Sequence, residues 1–414
     1  MTSHRTHLFL ILVLPMLLAC AQSWGRFWDL SGKKRPAVDV CTITSSYAEV
    51  IRTDFGEDLL FHLRAQRDKG STGIATADIT SITGIANTLK WSGGVLAPNS
   101  KIYTIPRQSD IVAIIDPANN TIDQTTITGL TTTANKWVGG VLAPNGKIYG
   151  IPSGSTSVLI IDPVANTADT TTITGVTGTG TGKWYGGVLA PNGKIYGIPR
   201  DNNYVLVIDP LTNTANATAI SVPAGTSKWF GGVLAPNGKI YAIPSDSTSV
   251  LIIDPETNTA DTTTISGLSA VTGKWSGGVL APNGKIYGIP GSGDNVLIID
   301  PATNTVDTTT ITGLGATTVK WLGGALAPNG KIYGMPHNLA IGNLLIIDPE
   351  TNTADISSVG GLAGSTDKWF GGVMASNGKI YGIPFDSPIG LVIDPKSNGA
   401  FCSAVLQSAY LNKY

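Results

Sequence analysis

Histidine is nearly absent from this chain, with four in 414 residues, and cysteine is scarcer still at three. Only 13% of residues are charged and the formal net charge is −1. Each scarcity excludes something. A near-neutral chain lacks the basic field that nucleic acid or an anionic membrane surface requires, so neither is expected as a partner. With His4 and His7 near the N-terminus, only His62 and His337 remain for acid–base or ligand roles. No Ser-His-Asp arrangement and no histidine cluster with metal-ligand spacing emerges. The sequence therefore predicts a non-catalytic protein without metal or cofactor. Long apolar runs are also missing. The longest, Leu8 to Ala19, is twelve residues broken by Pro15, too short to cross a bilayer as a helix.

What that run does fit is an export signal, with Arg5 as the positive flank and small residues following. Leu17-Leu18-Ala19-Cys20 resembles a bacterial lipobox in its relaxed spirochaetal form, which would make Cys20 a lipidated mature N-terminus. Ala19-Cys20-Ala21 also satisfies ordinary signal peptidase, which would cut after Ala21 and release the protein. The first reading is preferred and gives a signal over 1–19. It places the protein in the cell envelope, anchored to the outer membrane through lipid alone, with a periplasmic or secreted soluble form as the alternative. Cys41 and Cys402 are left for a disulfide in a compartment that permits one, against the plainer reading of two free thiols.

What the sequence has in abundance is repetition. Lys-Trp-x-Gly-Gly recurs seven times, as Lys90-Trp91, Lys136-Trp137, Lys183-Trp184, Lys228-Trp229, Lys274-Trp275, Lys320-Trp321 and Lys368-Trp369. The intervals are 46, 47, 45, 46, 46 and 48 residues. Such a period suits helical repeats as well as propeller blades. Content decides between them, because every copy carries Pro, several Gly and short Val/Ile/Tyr-rich runs that disfavour helix and favour strand. In the second copy the predicted strands are Gly140–Ala143, Lys147–Ile151, Val158–Ile161 and Asp169–Thr174. Pro144-Asn145-Gly146 makes the first hairpin turn and the segment from Asp162-Pro163 to Thr167 makes another. Apolar character falls from the third strand to the Thr-rich fourth, as in a blade running from a packed interior to a solvated edge.

The ends of the array predict a closed ring. Thr76–Gly84 matches Thr167–Gly175 but has no blade in front of it, whereas the seventh copy stops before its fourth strand. An N-terminal strand completing the last blade satisfies both, and the expected fold is an all-β, seven-bladed β-propeller of four-stranded blades. The array is assigned to 71–399, with a tether and N-terminal capping segment over 20–70 and a C-terminal cap over 400–414. A Cys41–Cys402 bond would staple the same seam, with an entropic upper bound on the order of 5 kcal/mol.

The pattern GGVLAPNGKIYGIP…SVLIIDPETNTADTTTI resembles the YVTN type of propeller repeat over residues 75–398, apart from the added Lys-Trp-x-Gly-Gly. Together with the lipobox it resembles lipoproteins of Leptospira. The resemblance implies the fold and little about activity, because propellers host lyases, lactonases, adhesins and scaffolds alike.

Candidate sites divide into what the copies share and what they do not. The seven Lys-Trp pairs open the innermost strand and would ring one channel mouth, either as aromatic faces and ammonium groups for a sugar or polyanion, or as wedges between blades. Their identity in every copy favours the architectural role. The repeated Asp-Pro reads as turn capping rather than calcium ligation. The segment between the second and third strands varies, and on propeller geometry it shares the Lys-Trp face. Arg107, Arg200, Asp201, Asn203, Tyr204, Asp246, Asp294, His337 and Phe385 are accordingly the candidate contacts for a protein or glycan ligand. A monomer is expected. A lyase- or lactonase-type enzyme and a purely structural envelope protein are the alternatives.

Overall fold

The computed structural model describes residues 73–396 except 86–89, 179–181, 318, 339–341 and 363–366. Cys20, Cys41, Cys402, the tether and both caps lie outside the described residues.

Every element among the described residues is a strand, and the strands form seven four-stranded antiparallel sheets. Blades 1 to 6 each take four consecutive strands. In blade 2 these are Trp137–Leu142, Ile148–Pro152, Leu159–Asp162 and Thr167–Asp169. Blade 7 takes three consecutive strands, Trp369–Met374, Ile380–Pro384 and Leu391–Asp394. Its outer position is filled by Thr76–Asp78 in antiparallel register, Thr76 opposite Asp394 and Asp78 opposite Val392. The ring closes through the N-terminal strand, so the array has no free end.

The outer strand is shorter and earlier than its sequence suggests. Asp169–Thr174 is predicted, but the ladder covers only Thr167–Asp169. Asp169 Oδ1 accepts the N–H groups of Thr171 and Thr172 at 2.7 and 3.2 Å, which turns the chain just after the aspartate, and in blade 2 the ladder does not resume. The turn alone does not end the ladder: Asp123 of blade 1 makes the same bonds and Asn216 of blade 3 a similar one, yet there the outer strands run on past a bulge as Thr121–Ile127 and Thr214–Ser221.

The shared motif is explained position by position. Each Trp is buried in a seam between blades. Trp184, for instance, packs with Val141, Tyr149, Ile151, Val158 and Ile173 of blade 2 and with Leu189 and Leu206 of blade 3. Burying a side chain of this size contributes at most about 5 kcal/mol. Its Nε1–H donates to the Tyr204 carbonyl at 2.8 Å, so no polar atom is stranded. The first Gly of the pair takes a left-handed conformation, φ 73° at Gly139, and forms the bulge that shifts register between Trp137 and Gly140. The second has no room for a side chain. A Cβ on Gly140 would lie 2.5 Å from Ile105 Cδ1 of blade 1.

On the opposite face each seam is latched by a tyrosine. Tyr103 of blade 1 donates its hydroxyl to Asn166 of blade 2 at 2.6 Å and accepts from Asn99 at 2.9 Å. Tyr381 of blade 7 makes the same bond to Asn120 of blade 1, 2.6 Å, across the closure. The Asp-Pro turns that carry these asparagines are capped as their sequence implies, Asp162 Oδ1 accepting Val164 N–H at 2.9 Å.

Candidate functional site

The two ends of the channel differ in how much they vary. At the Asp-Pro end each turn pairs Lys with Asp, as in Lys147–Asp162 at 3.1 Å and Lys239–Asp254 at 3.1 Å, with the same constellation in every blade. The Lys-Trp end combines a constant frame with a variable lining.

The frame is built from the lysines. All seven are at most 5% exposed, and their ammonium groups lie 5.6–6.0 Å from the centroid of the adjoining Trp ring. Five of them donate to a carbonyl of the preceding blade's variable segment: Lys136 to Ser109, Lys183 to Ser155, Lys228 to Asn202, Lys274 to Ser247 and Lys320 to Gly293. Burial lowers the pKa of each lysine, to about 8 at Lys136, Lys228 and Lys320, with Asp110, Asp201 and Asp294 respectively opposing it. These lysines and tryptophans therefore present neither ring faces nor free ammonium groups to a ligand. They tie each blade to the next.

The lining comes from a position the sequence reading passed over. The residue between Trp and Gly-Gly is Ser92, Val138, Tyr185, Phe230, Ser276, Leu322 and Phe370 in turn. Val138, Tyr185, Leu322 and Phe370 form a buried cluster with Phe385, and Phe230 packs against it. Rings from blades that are not neighbours meet here. Phe230 of blade 4 and Phe370 of blade 7 have centroids 5.9 Å apart, which places this contact across the channel. Tyr185 meets Phe230 edge-on at 5.1 Å, and Phe385 lies 5.7 Å from Phe370. The signal available in the sequence was the single variable residue inside an otherwise invariant pentapeptide.

Around this cluster the structure gathers some of the predicted residues. Arg107 lies over Phe385 with its guanidinium carbon 5.1 Å from the ring centroid, and its Nε donates to Asn135 at 2.7 Å. Arg200 lies over Tyr185 at 4.6 Å, with Nη1 donating to Asp201 at 2.9 Å and Nη2 to Ser227 at 2.8 Å. His337 is 6% exposed and stands 5.8 Å from Phe385. Its Nδ1–H donates to the Trp369 carbonyl at 3.0 Å and its Nε2 is 3.3 Å from Asp367. Burial lowers the His337 pKa, opposed by the Trp369 carbonyl and the Asp367 carboxylate. Asp246 accepts Gly273 N–H at 2.6 Å and braces the link between blades.

The remaining predicted residues sit toward the outer edge. The carbonyl of Asn203 accepts from Val222, Tyr204 pairs with Ser221 in the outer ladder, and Asp294 accepts from Gly313. Among the described residues no group of three or more His, Cys, Asp or Glu is arranged to hold a metal ion.

Comparison with known proteins supports the architecture. A family model described as Domain of unknown function (DUF5074) matches residues 185–381, a little under half of the chain. No curated protein matches. Among solved structures, a streptogramin B lyase is similar at 12% identity and a TM-score of 0.57, covering 77% of this chain and 97% of its own. Virginiamycin B lyase from Staphylococcus aureus is similar at 9% identity and a TM-score of 0.59, covering 77% and 99%. The extracellular domain described as that of a hybrid two-component system from B. thetaiotaomicron is similar at 12% identity and a TM-score of 0.57, covering 80% of this chain and 44% of that one. At these identities the shared property is the fold. The chain is a seven-bladed β-propeller.

Proposed function

We propose that this protein is an exported cell-envelope lipoprotein, anchored through Cys20 to the outer membrane, whose propeller is a non-catalytic platform for a protein or glycan ligand. The lipobox, the YVTN-type repeat and the likeness to Leptospira lipoproteins support the location. One observation carries the binding role. Departures from sevenfold repetition concentrate at a single channel mouth, around Tyr185, Phe230, Phe370 and Phe385, while the opposite mouth repeats the same Lys–Asp and Tyr–Asn contacts. A ring that served only as structure would have no use for that asymmetry.

The reading is tested by replacing the variable segments of blades 1, 3, 6 and 7 with that of blade 4 and measuring binding on an array of envelope glycans and proteins. Binding lost on this exchange, and kept when the Asp-Pro turns are altered instead, is the expected result. Binding indifferent to the exchange removes the surface assignment, and elimination or lactone-hydrolysing activity in the purified protein would replace the platform with an enzyme. Metabolic lipid labelling tests the anchor separately. Label is expected on the wild type and absent from Cys20→Ala, and an unlabelled wild type overturns the lipoprotein assignment.

A further inference from the structure

The large apolar side chains most open to water stand on the Asp-Pro face, away from the variable mouth. Val164 is 94% exposed, Leu211 91% and Ile74 71%, the highest values of any large apolar side chain among the described residues. Val164 and Leu211 occupy one position in consecutive blades, directly after the proline of the turn that joins the third strand to the outer one. Blade 1 has Ala118 at that position. Blades 4 and 6 have Glu256 and Glu350, blade 5 Ala302 and blade 7 Lys396. The contacts between blades on this face repeat around the ring, but the turn tips do not. They divide into an apolar arc over blades 1 to 3 and an arc with two carboxylates over blades 4 to 6.

The two apolar tips are held rigid from within. Val164 N–H donates to Asp162 at 2.9 Å and Leu211 N–H to Asp209 at 3.0 Å. Asn166 and Asn213, which follow in the same turns, accept the hydroxyls of Tyr103 and Tyr149 at 2.6 and 2.8 Å. None of these bonds uses the valine or leucine side chain. One exposed apolar residue is ordinary, but two at the same place on adjoining fixed turns form a presented surface.

The route of the chain says what covers it. Ile74 leads into the closing strand, whose Thr76 lies opposite Asp394. Gly73 before it stands so near Lys396 that a Cβ there would lie 2.8 Å from Lys396 Cβ. Lys396 is the blade 7 counterpart of Val164, so the segment leading from Cys20 joins the ring at this face, on the blade next to the apolar arc. Each turn lysine of the face lies 3.1–4.0 Å from an aspartate. With its cations paired, the face has no basic field for anionic headgroups, and its contact with a bilayer would be apolar.

We propose that the Asp-Pro face of the anchored protein lies on the bilayer, with Val164, Leu211 and Ile74 dipping into the lipid interface and the variable mouth turned away. This rests on the lipoprotein reading above. It adds to the lipid a second, side-chain contact that fixes which face looks outward.

The test reads depth with tryptophan. Val164→Trp, Leu211→Trp and, on the far face, Tyr204→Trp are placed on phosphatidylcholine vesicles with and without dibrominated acyl chains, and the signal of the parent chain is subtracted. The protein is held there by its own lipid or, in the Cys20→Ala chain, by an N-terminal hexahistidine tag on nickel-chelating lipid. Bromine is expected to quench the added emission at positions 164 and 211 at least twofold under both tethers and to leave position 204 unchanged. Neither phosphatidylglycerol nor added salt should alter this. Changing Val164 and Leu211 together to Glu should abolish the quenching of an Ile74→Trp reporter, with thermal unfolding verifying that each variant is folded. Emission at 164 and 211 indifferent to bromine, equal quenching at 204, or quenching that appears only with phosphatidylglycerol overturns the proposal. So does a dimer in sedimentation that the double Glu variant dissolves, which would assign the tips to a second copy. The tagged chain separates the two readings: an unlabelled wild type removes the lipid anchor, whereas the tips stand or fall on the bromine result alone.

Discussion

Removing one hydroxyl should show how strongly the blades are latched. Tyr196 is fully buried, donates to Asn258 Oδ1 of the next blade at 2.9 Å and accepts from Asn192 at 3.0 Å. Tyr196→Phe keeps the ring and deletes both bonds, together with the hydroxyl's longer 3.3 Å contact to the Pro255 carbonyl. Asn192 retains the Pro255 carbonyl at 2.9 Å, so the group left without its partner is the Asn258 amide oxygen. A net hydrogen bond contributes about 1 kcal/mol, and a buried group left unpaired costs about 1–3 kcal/mol, which gives roughly 2 kcal/mol for the substitution. Asn258 has φ 53°, so glycine is the replacement that removes its side chain without straining the backbone. Urea unfolding of the wild type, both single variants and the double variant gives the coupling energy, expected at about 1 kcal/mol with m unchanged. Pairing Tyr196→Phe with Asn304→Gly, which belongs to the Tyr241 latch, should be additive within about 0.5 kcal/mol. Equal coupling for the two pairs, or none for either, would refute the latch as a source of inter-blade stability.

Further expectations concern the motif and its titration. Gly140→Ala should destabilise by about 1–3 kcal/mol, because the new methyl meets Ile105 in a packed seam, and trimming Ile105 to Val should recover part of the loss in chemical denaturation. The outer aspartates Asp78, Asp123, Asp169, Asp307 and Asp355 are held down to about 2 by hydroxyl and backbone N–H donors, with burial acting against them. Carboxylates depressed in the folded state stabilise it above about pH 4 and stop doing so as pH falls toward 2. Thermal midpoints should therefore drop across that interval, and by less in Asp169→Asn. The framing lysines act in the other window. Their folded pKa is lowered to about 8 at Lys136, Lys228 and Lys320, so the unfolded chain binds more protons between about pH 8 and 10, and stability should rise across that range. Lys228→Met should flatten the rise, and a wild-type profile that falls between pH 8 and 10 would contradict the assignment.

Fold was legible because the repeat repeats its physics. Turn chemistry at Asn145-Gly146, the apolar third strand and the unpaired Thr76–Gly84 each constrain one answer, and blade number and closure follow from counting. The outer strand was less legible. Alternating Thr and Ile in Asp169–Thr174 looks like a ladder, but the aspartate takes the N–H groups of Thr171 and Thr172 for itself and the ladder stops at Asp169, whereas after the same turn at Asp123 pairing resumes at Ile127. The mouth was partly legible. Loop variation singled out Arg107, His337 and Phe385, which do converge, together with Asn203, Tyr204 and Asp294, which do not. Sequence variation marks a loop, whereas distance from the axis depends on where in the loop a residue stands. The lining residues Tyr185, Phe230 and Phe370 were missed for a related reason. They lie inside a bulge, where strand alternation no longer tells which way a side chain points.

The central claim is that the seven shared motifs hold the ring together and the residues that differ at one mouth bind the ligand. The most direct measurement is on a symmetrised chain in which every blade carries the segment and lining residue of blade 2, with the Lys-Trp, Gly-Gly, Tyr and Asn positions untouched. It should unfold cooperatively at a temperature near that of the wild type and bind no ligand that the wild type takes from the array. A symmetrised ring that still binds those ligands, or one that cannot fold, would contradict it.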